Sequence, residues 1–162
     1  MTELVPIDPQ RLDAASPLVA LNRANEAELS PLAPEAFRTL VGDAFLALTT
    51  PDEAAFLIAF DQDAPYDSPN FLWFKARRAR FAYVDRIAVS EEARGRGLAR
   101  ALYAALFETA RAAGHDAVVC EVNSDPPNPA SDAFHAAMDF EAVGEARLED
   151  RGKSVRYFAR PL

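Results

Sequence analysis

Residues 81–123 pass from an apolar run through a glycine-containing corner into an amphipathic stretch and then a second apolar run, and this order limits the fold more than any other feature. "FAYVDRIAV" has the β-branched and aromatic content of a strand. "GLARALYAALFETARAAG" sets Leu98, Leu102, Ala105, Leu106 and Ala110 at helical spacing toward a core, with Gly114 placed to stop the helix. "AVVCEVN" is a short β-branched run, as expected of a strand covered on both faces. A strand, a helix and a second strand in this order imply a parallel pair joined by a right-handed crossover. The fold class expected is therefore α/β, in α+β layers around a mixed sheet.

The flanks fill in the layers. Apolar spacing predicts helices over roughly 8–26 and 34–43, interrupted at Pro31 and Pro34 and linked by "NRANEAELSPL". "AFLALTT" and "AAFLIAFD", separated by "PDE", read as a hairpin. Residues 61–70 are rich in turn formers, while "FLWFKARRAR" mixes large aromatics with a basic cluster and declares no period. In "NPASDAFHAAMDF", Asn128 is placed to cap a helix and Pro129 to occupy its first turn. Ala130, Ala133, Phe134, Ala137 and Met138 supply its apolar face, with His135 beside it. "FEAVGEARLED" and "KSVRYFARPL" read as two strands around a turn at residues 150–152. With 162 residues, 50% of them apolar, the chain closes one sizeable core, so a single domain over 1–162 is expected.

Several function classes fall away. "MTELVPIDPQ" lacks a basic start and apolar core, and no run approaches the roughly 18 apolar residues of a membrane span, so a soluble, cytoplasmic protein is expected. One cysteine, Cys120, and two histidines, His115 and His135, cannot assemble a metal cluster of recognised spacing. A net charge of −8 argues against nucleic acid as partner. The charge is uneven: residues 1–70 hold three arginines against twelve acids, whereas residues 71–162 hold fourteen Lys/Arg against thirteen acids. That favours a cationic or amine-bearing ligand held by acids of the first interhelical linker, Glu26 and Glu28.

The corner "ARGRGLA" brings unpaired N–H groups to a helix start, and glycine lets a ligand approach the backbone closely. Such a corner binds anionic oxygens, and Arg94 and Arg96 suit it to phosphate or pyrophosphate. A Walker loop needs Gly-Lys-Ser/Thr, but Leu98 follows Gly97. The dinucleotide fingerprint fails at Arg100. Arg94-Gly95-Arg96-Gly97-Leu98-Ala99 resembles the acyl-CoA pyrophosphate loop of the GNAT acetyltransferase superfamily, R/Q-x-x-G-x-G/A. The surrounding "YVDRIAVSEEARGRGLARALYAALFETARAAG" and the later "NPASDAFHAAMDF" are similar to that family's fourth strand, loop and helix and to its later helix, over about residues 81–145.

The resemblance implies a GNAT-like sheet with a splayed parallel strand pair, 81–89 and 117–123, flanked by helices. It implies acetyl-CoA as cosubstrate, with the backbone of Ile87, Ala88 and Val89 pairing with the pantetheine arm and the thioester between the strands. The implied reaction is direct transfer of acetyl to a primary amine of a small molecule or peptide; the alternative is a catalytically silent acyl-CoA-binding regulatory module. A homodimer is compatible with it. Two positions depart from the family: its frequent tyrosine aligns with His135 and its usual glycine with Asp139.

Amine attack on a thioester needs a base, an oxyanion donor and a proton for the thiolate. Asp85 and Glu121 interrupt apolar strands at the implied splay and are the base candidates, unless pairing with an arginine such as Arg86 reduces them to packing. His135 is the candidate proton donor to the thiolate. Asn123 is a candidate to orient acceptor or water, Asn128 to touch the cofactor besides capping, and Trp73 to close over an acceptor. Cys120 reads as an inert buried thiol.

Overall fold

Proline and capping residues set where the N-terminal helices begin. In the computed structural model, which describes residues 2–162, Ser16 caps α1 (Pro17–Ala24) by accepting from the Leu18 N–H, and Pro34 opens α2 (Pro34–Asp43). The helix expected over 8–26 is therefore shorter. Asp8 starts a separate 3-10 turn at Pro9–Arg11, and the chain re-enters a helix only at Pro17 because proline cannot extend one from behind.

The strands are β1 (Val5–Pro6), β2 (Leu46–Thr49), β3 (Ala55–Asp61), β4 (Ala82–Val89), β5 (Ala117–Asp125), β6 (Glu141–Leu148) and β7 (Lys153–Pro161). They form one sheet in the order β1-β2-β3-β4-β5-β7-β6, with β4 and β5 parallel and every other pair antiparallel. The expected hairpin is β2–β3, and the expected crossover runs from β4 through α4 (Leu98–Ala112) to β5. The segment without a readable period contains α3 (Pro69–Lys75), and α5 (Pro129–Ala137) follows β5.

Two apolar layers cover the sheet. On one face, Leu18, Phe37, Phe71 and Phe74 from α1, α2 and α3 pack with Phe56, Tyr83, Val119 and Tyr157. On the other, Leu102, Tyr103 and Leu106 of α4 pack with Leu57, Ala82, Val118 and Cys120, and Met138 and Phe140 join beyond α5. Full burial of each large apolar side chain contributes about 1.5–3 kcal/mol. The inward face of α5 differs from expectation. Ala130, Ala133 and Ala137 are exposed, and His135 is the buried residue of the helix. The i, i+3, i+4, i+7 face runs through Ser131, Phe134, His135 and Met138 instead.

Two irregularities position the site. First, β4 and β5 pair only at Ala82↔Val118 and Tyr83↔Val119. Beyond that point β4 stays with β3 as far as Val89 and β5 stays with β7, so the parallel strands part and leave a wedge. Second, Ile58 pairs with Arg86 and Ala59 with Val84, which leaves Asp85 as an extra residue in β4. Such a bulge breaks alternation. Asp85 and Arg86 consequently both reach partners on the α1–α3 face: Asp85 meets Tyr66, and Arg86 meets Asn22 of α1.

Candidate active site

The wedge opens into a cavity of about 700 Å³ that runs through the sheet from one helical layer to the other. Ile87, Ala88 and Val89 line it from β4, Glu121 and Asn123 from β5, Glu28 from the α1–α2 linker, Asn128 from the cap of α5 and His135 from α5 itself. Asp85 and Arg94 also reach it. Because β5 does not pair with β4 past Tyr83, no strand among the described residues pairs with the edge of Ile87–Val89 facing the wedge.

Among the described residues, no cation pairs with Glu121. Its carboxylate accepts from the Tyr83 hydroxyl at 2.8 and 3.0 Å and from the Asn70 amide at 3.1 Å. The Tyr157 hydroxyl in turn donates to the Asn70 carbonyl oxygen at 2.8 Å. Burial raises the Glu121 pKa to about 7, with the nearby Asp85 charge adding to the rise and the Tyr83 and Asn70 hydrogen bonds opposing it. Tyr83 in consequence keeps its proton well above the ordinary tyrosine range, chiefly through burial and then through Glu121.

Asp85 has the arginine partner that the sequence left open for either acid. Its Oδ2 accepts from Arg86 Nε at 2.8 Å and its Oδ1 from the Tyr66 hydroxyl at 2.5 Å. Arg86 is only 4% exposed and also donates to Asn22 Oδ1, the Ser30 carbonyl and Ser30 Oγ. The ion pair thus fastens the α1–α2 linker to the β4 bulge.

The opposite wall is different. Tyr103 of α4, Cys120 of β5 and His135 of α5 line the cavity from the α4–α5 face. His135 Nδ1 lies 2.7 Å from the Ser131 carbonyl oxygen, which only accepts, so Nδ1 carries the proton. Burial lowers the His135 pKa, and the neutral ring therefore offers a lone pair at Nε2, which accepts from the Tyr103 hydroxyl at 2.8 Å. The proton donor expected at His135 is therefore already engaged: its Nδ1–H is held by the Ser131 carbonyl, and Nε2 faces the Tyr103 hydroxyl. The Cys120 pKa is pushed well up, first by burial and then by Glu121, which disfavours the thiolate.

The glycine corner lies where expected. Gly95 and Gly97 take φ of 81° and 75°, in the left-handed region, and Gly97 is the N-cap of α4. A Cβ added at either glycine would meet nothing within 4 Å, so the space over this backbone is open. The Leu98 side chain is core, and of this loop Arg94 lines the cavity. Asn128 caps α5 by accepting from the Ser131 N–H at 3.3 Å.

Two expected acceptor residues lie elsewhere. Glu26 is exposed and outside the cavity lining, since α1 ends at Ala24 and the linker turns it to solvent. Trp73 is drawn to the far side of α3 by packing: it stacks on Tyr157 at 4.2 Å, takes the place a Cβ of Gly144 would fill, and carries the Arg77 guanidinium at 4.0 Å. It backs the Tyr157–Asn70–Glu121 chain from behind. Tyr66, Asn70, Tyr83, Arg86, Tyr103 and Tyr157 shape the site without a motif. Their only trace in sequence is polar or hydroxyl-bearing side chains at positions that read as core or turn.

The sequence matches the Acetyltransferase (GNAT) family over residues 26–140. Comparison with curated proteins gave no match. Among solved structures, the chain is similar to the ribosomal-protein-alanine N-acetyltransferase from Brucella melitensis, at 21% identity, 99% coverage of each chain and a TM-score of 0.71. It is also similar to the ribosomal-protein-S18-alanine N-acetyltransferase from Escherichia coli, at 20% identity over 99% of this chain and 94% of that one, with a TM-score of 0.66. Arabidopsis thaliana NAA60, solved in complex with acetyl-CoA, gives 16% identity, 100% and 99% coverage, and a TM-score of 0.69.

Proposed function

Because the chain belongs to the Acetyltransferase (GNAT) family, we propose that it moves an acetyl group from acetyl-CoA to a primary amine by direct attack in a ternary complex. The observation that carries this reading is Glu121: a carboxylate on the wedge, hydrogen-bonded but with no cation partner among the described residues, its pKa raised to about 7. A base poised near neutrality takes the proton of an incoming ammonium and regains its charge easily. Asp85, with both oxygens engaged by Arg86 and Tyr66, holds the linker in place and raises the Glu121 pKa by its charge.

The cosubstrate arrangement follows from the free backbone. Open N–H groups at residues 95–99, with Arg94 and Arg96, suit the pyrophosphate, and the unpaired edge of Ile87–Val89 suits the amides of the pantetheine arm. The thioester then lies in the wedge with Glu121 on one side. Asn123 lines the acceptor side and offers an amide to orient the amine, and Asn128 reaches the cavity near the cofactor arm. Glu28 gives the mouth a carboxylate that favours a cationic acceptor.

Thiol release from acetyl-CoA across a broad panel of primary amines tests the reading. Amine-dependent release with no acetyl-enzyme detectable by mass is the expected result. Slow hydrolysis that no amine accelerates would instead support a silent acyl-CoA-binding module.

A further inference from the structure

The wall facing Glu121 contains a hydroxyl that the proposed reaction has not yet used. Tyr103 is 1% exposed, yet it lines the cavity together with Cys120 and Val122, its neighbours in the α4–α5 layer. Its hydroxyl has one proton, which rests on Nε2 of neutral His135 at 2.8 Å. His135 is fixed three ways: Nδ1 donates to Ser131, its carbonyl accepts from the Phe140 N–H at 3.0 Å, and its ring meets the Phe140 ring edge-on at 5.1 Å. The Tyr103 ring also meets Phe140 edge-on at 5.6 Å. The hydroxyl is therefore held at the wall before any ligand arrives.

We propose that Tyr103 is the hydrogen-bond donor to the sulfur that departs from the thioester, and that His135 is its positioning residue; this rests on the acyl-CoA reading above. As the amine nitrogen bonds to the carbonyl carbon, its proton passes to Glu121 on the opposite wall. The C–S bond then breaks with its electron pair on sulfur. The hydroxyl rotor of Tyr103 turns from the neutral imidazole to the thiolate, because a charged acceptor outcompetes a neutral one. Tyr103 keeps its proton. Burial, and next Cys120, hold its pKa well above that of an ordinary tyrosine, so the CoA thiolate leaves hydrogen-bonded and is protonated by water outside. His135 cannot fill this role itself, since its N–H is held by Ser131.

The thiol of bound CoA tests this without an acceptor. A donor at the sulfur stabilises the thiolate, so the bound thiol should titrate about one pH unit lower in the unaltered protein than in Tyr103→Phe, a tenfold difference in the ionisation constant. Cys120→Ala serves as the background, because it removes the protein's single thiol from the thiolate absorbance. The other groups facing this wall, Glu121 and His135, do not absorb as thiolates. His135→Phe should raise the thiol pKa part of the way, and His135→Gln, which keeps an acceptor for the hydroxyl, should return it toward the unaltered value. Turnover should fall about 10- to 100-fold in Tyr103→Phe, toward the lower end of what one transition-state donor supplies. If the single variant fails to fold because Nε2 is left unpaired, Tyr103→Phe with His135→Leu removes both partners and carries the same prediction. Equal thiol pKa values with CoA bound to unaltered and variant proteins overturn the proposal. Failure of the unaltered protein to bind CoA is a separate result, which overturns the acyl-CoA reading itself.

Discussion

Asp139 takes a φ of 67°, a conformation that costs most side chains and that glycine adopts freely. It is the left-handed residue that closes α5: its N–H bonds the Ala136 carbonyl and the next N–H, of Phe140, bonds that of His135. Asp139, which stands where the resemblance implies a glycine, holds this turn because aspartate tolerates the region better than bulkier residues. Asp139→Gly should therefore stabilise the protein by about 0.5–1 kcal/mol, measured by denaturant melting. Glu121 carries a second prediction. Its folded pKa of about 7 lies above its ordinary value of 4.5, so between these pH values the unfolded chain has released a proton that the folded one retains. Stability is fully present below pH 4.5 and declines as pH rises through about 7, by at most roughly 3 kcal/mol. Glu121→Gln should remove that decline and be the more stable protein at alkaline pH. Parallel curves for the two proteins across this range would contradict the buried-acid reading.

At the scale of elements, the bulge in β4 and the α1–α2 linker act together through Arg86. Arg86→Met would leave Asp85 buried without its cation, at a cost of about 3–5 kcal/mol, and Asp85→Asn in the same chain should recover part of it. Urea unfolding of the unaltered protein and these two variants measures this, and a loss under about 1 kcal/mol for Arg86→Met would mean the linker is held by other contacts. This network marks the boundary of what could be read from sequence. The βαβ unit, the hairpin and the two C-terminal strands were legible because apolar period, glycine stops and turn residues act locally. The wedge itself was expected only through the family resemblance. The bulge was not legible, because a strand is read by strict alternation, and one extra residue moves Arg86 to the face of Asp85. The same limit hid the Glu121 network. Asn70 stands in a turn-rich segment and Tyr157 two strands away, and only the sheet order brings them together. His135 was misplaced because alanines at helical spacing outlined a face that tertiary packing did not use.

For the whole molecule, a ligand that binds only the folded state raises stability by mass action. CoA or acetyl-CoA at 100 times its dissociation constant contributes about 2.7 kcal/mol, and for this chain length raises the melting temperature by roughly 5–10 °C. NAD and ATP should do much less, and Gly97→Val should abolish the CoA shift, because the left-handed φ of 75° excludes a β-branched residue. The uneven charge of the sequence also resolves in three dimensions: of the two linker acids, Glu28 lines the cavity and Glu26 does not. Glu28→Gln is thus expected to weaken a cationic acceptor in a salt-dependent way, with Glu26→Gln close to neutral. The measurement that bears most directly on the proposed chemistry is the pH dependence of amine-dependent thiol release from acetyl-CoA, compared between the unaltered protein and Glu121→Gln. With Glu121 as base, the unaltered protein gains activity as pH rises through about 7. The variant binds CoA equally well, turns over roughly 10²–10⁴ times more slowly, and gains activity only where the free amine itself deprotonates. Equal rates and superimposable profiles would contradict the assignment.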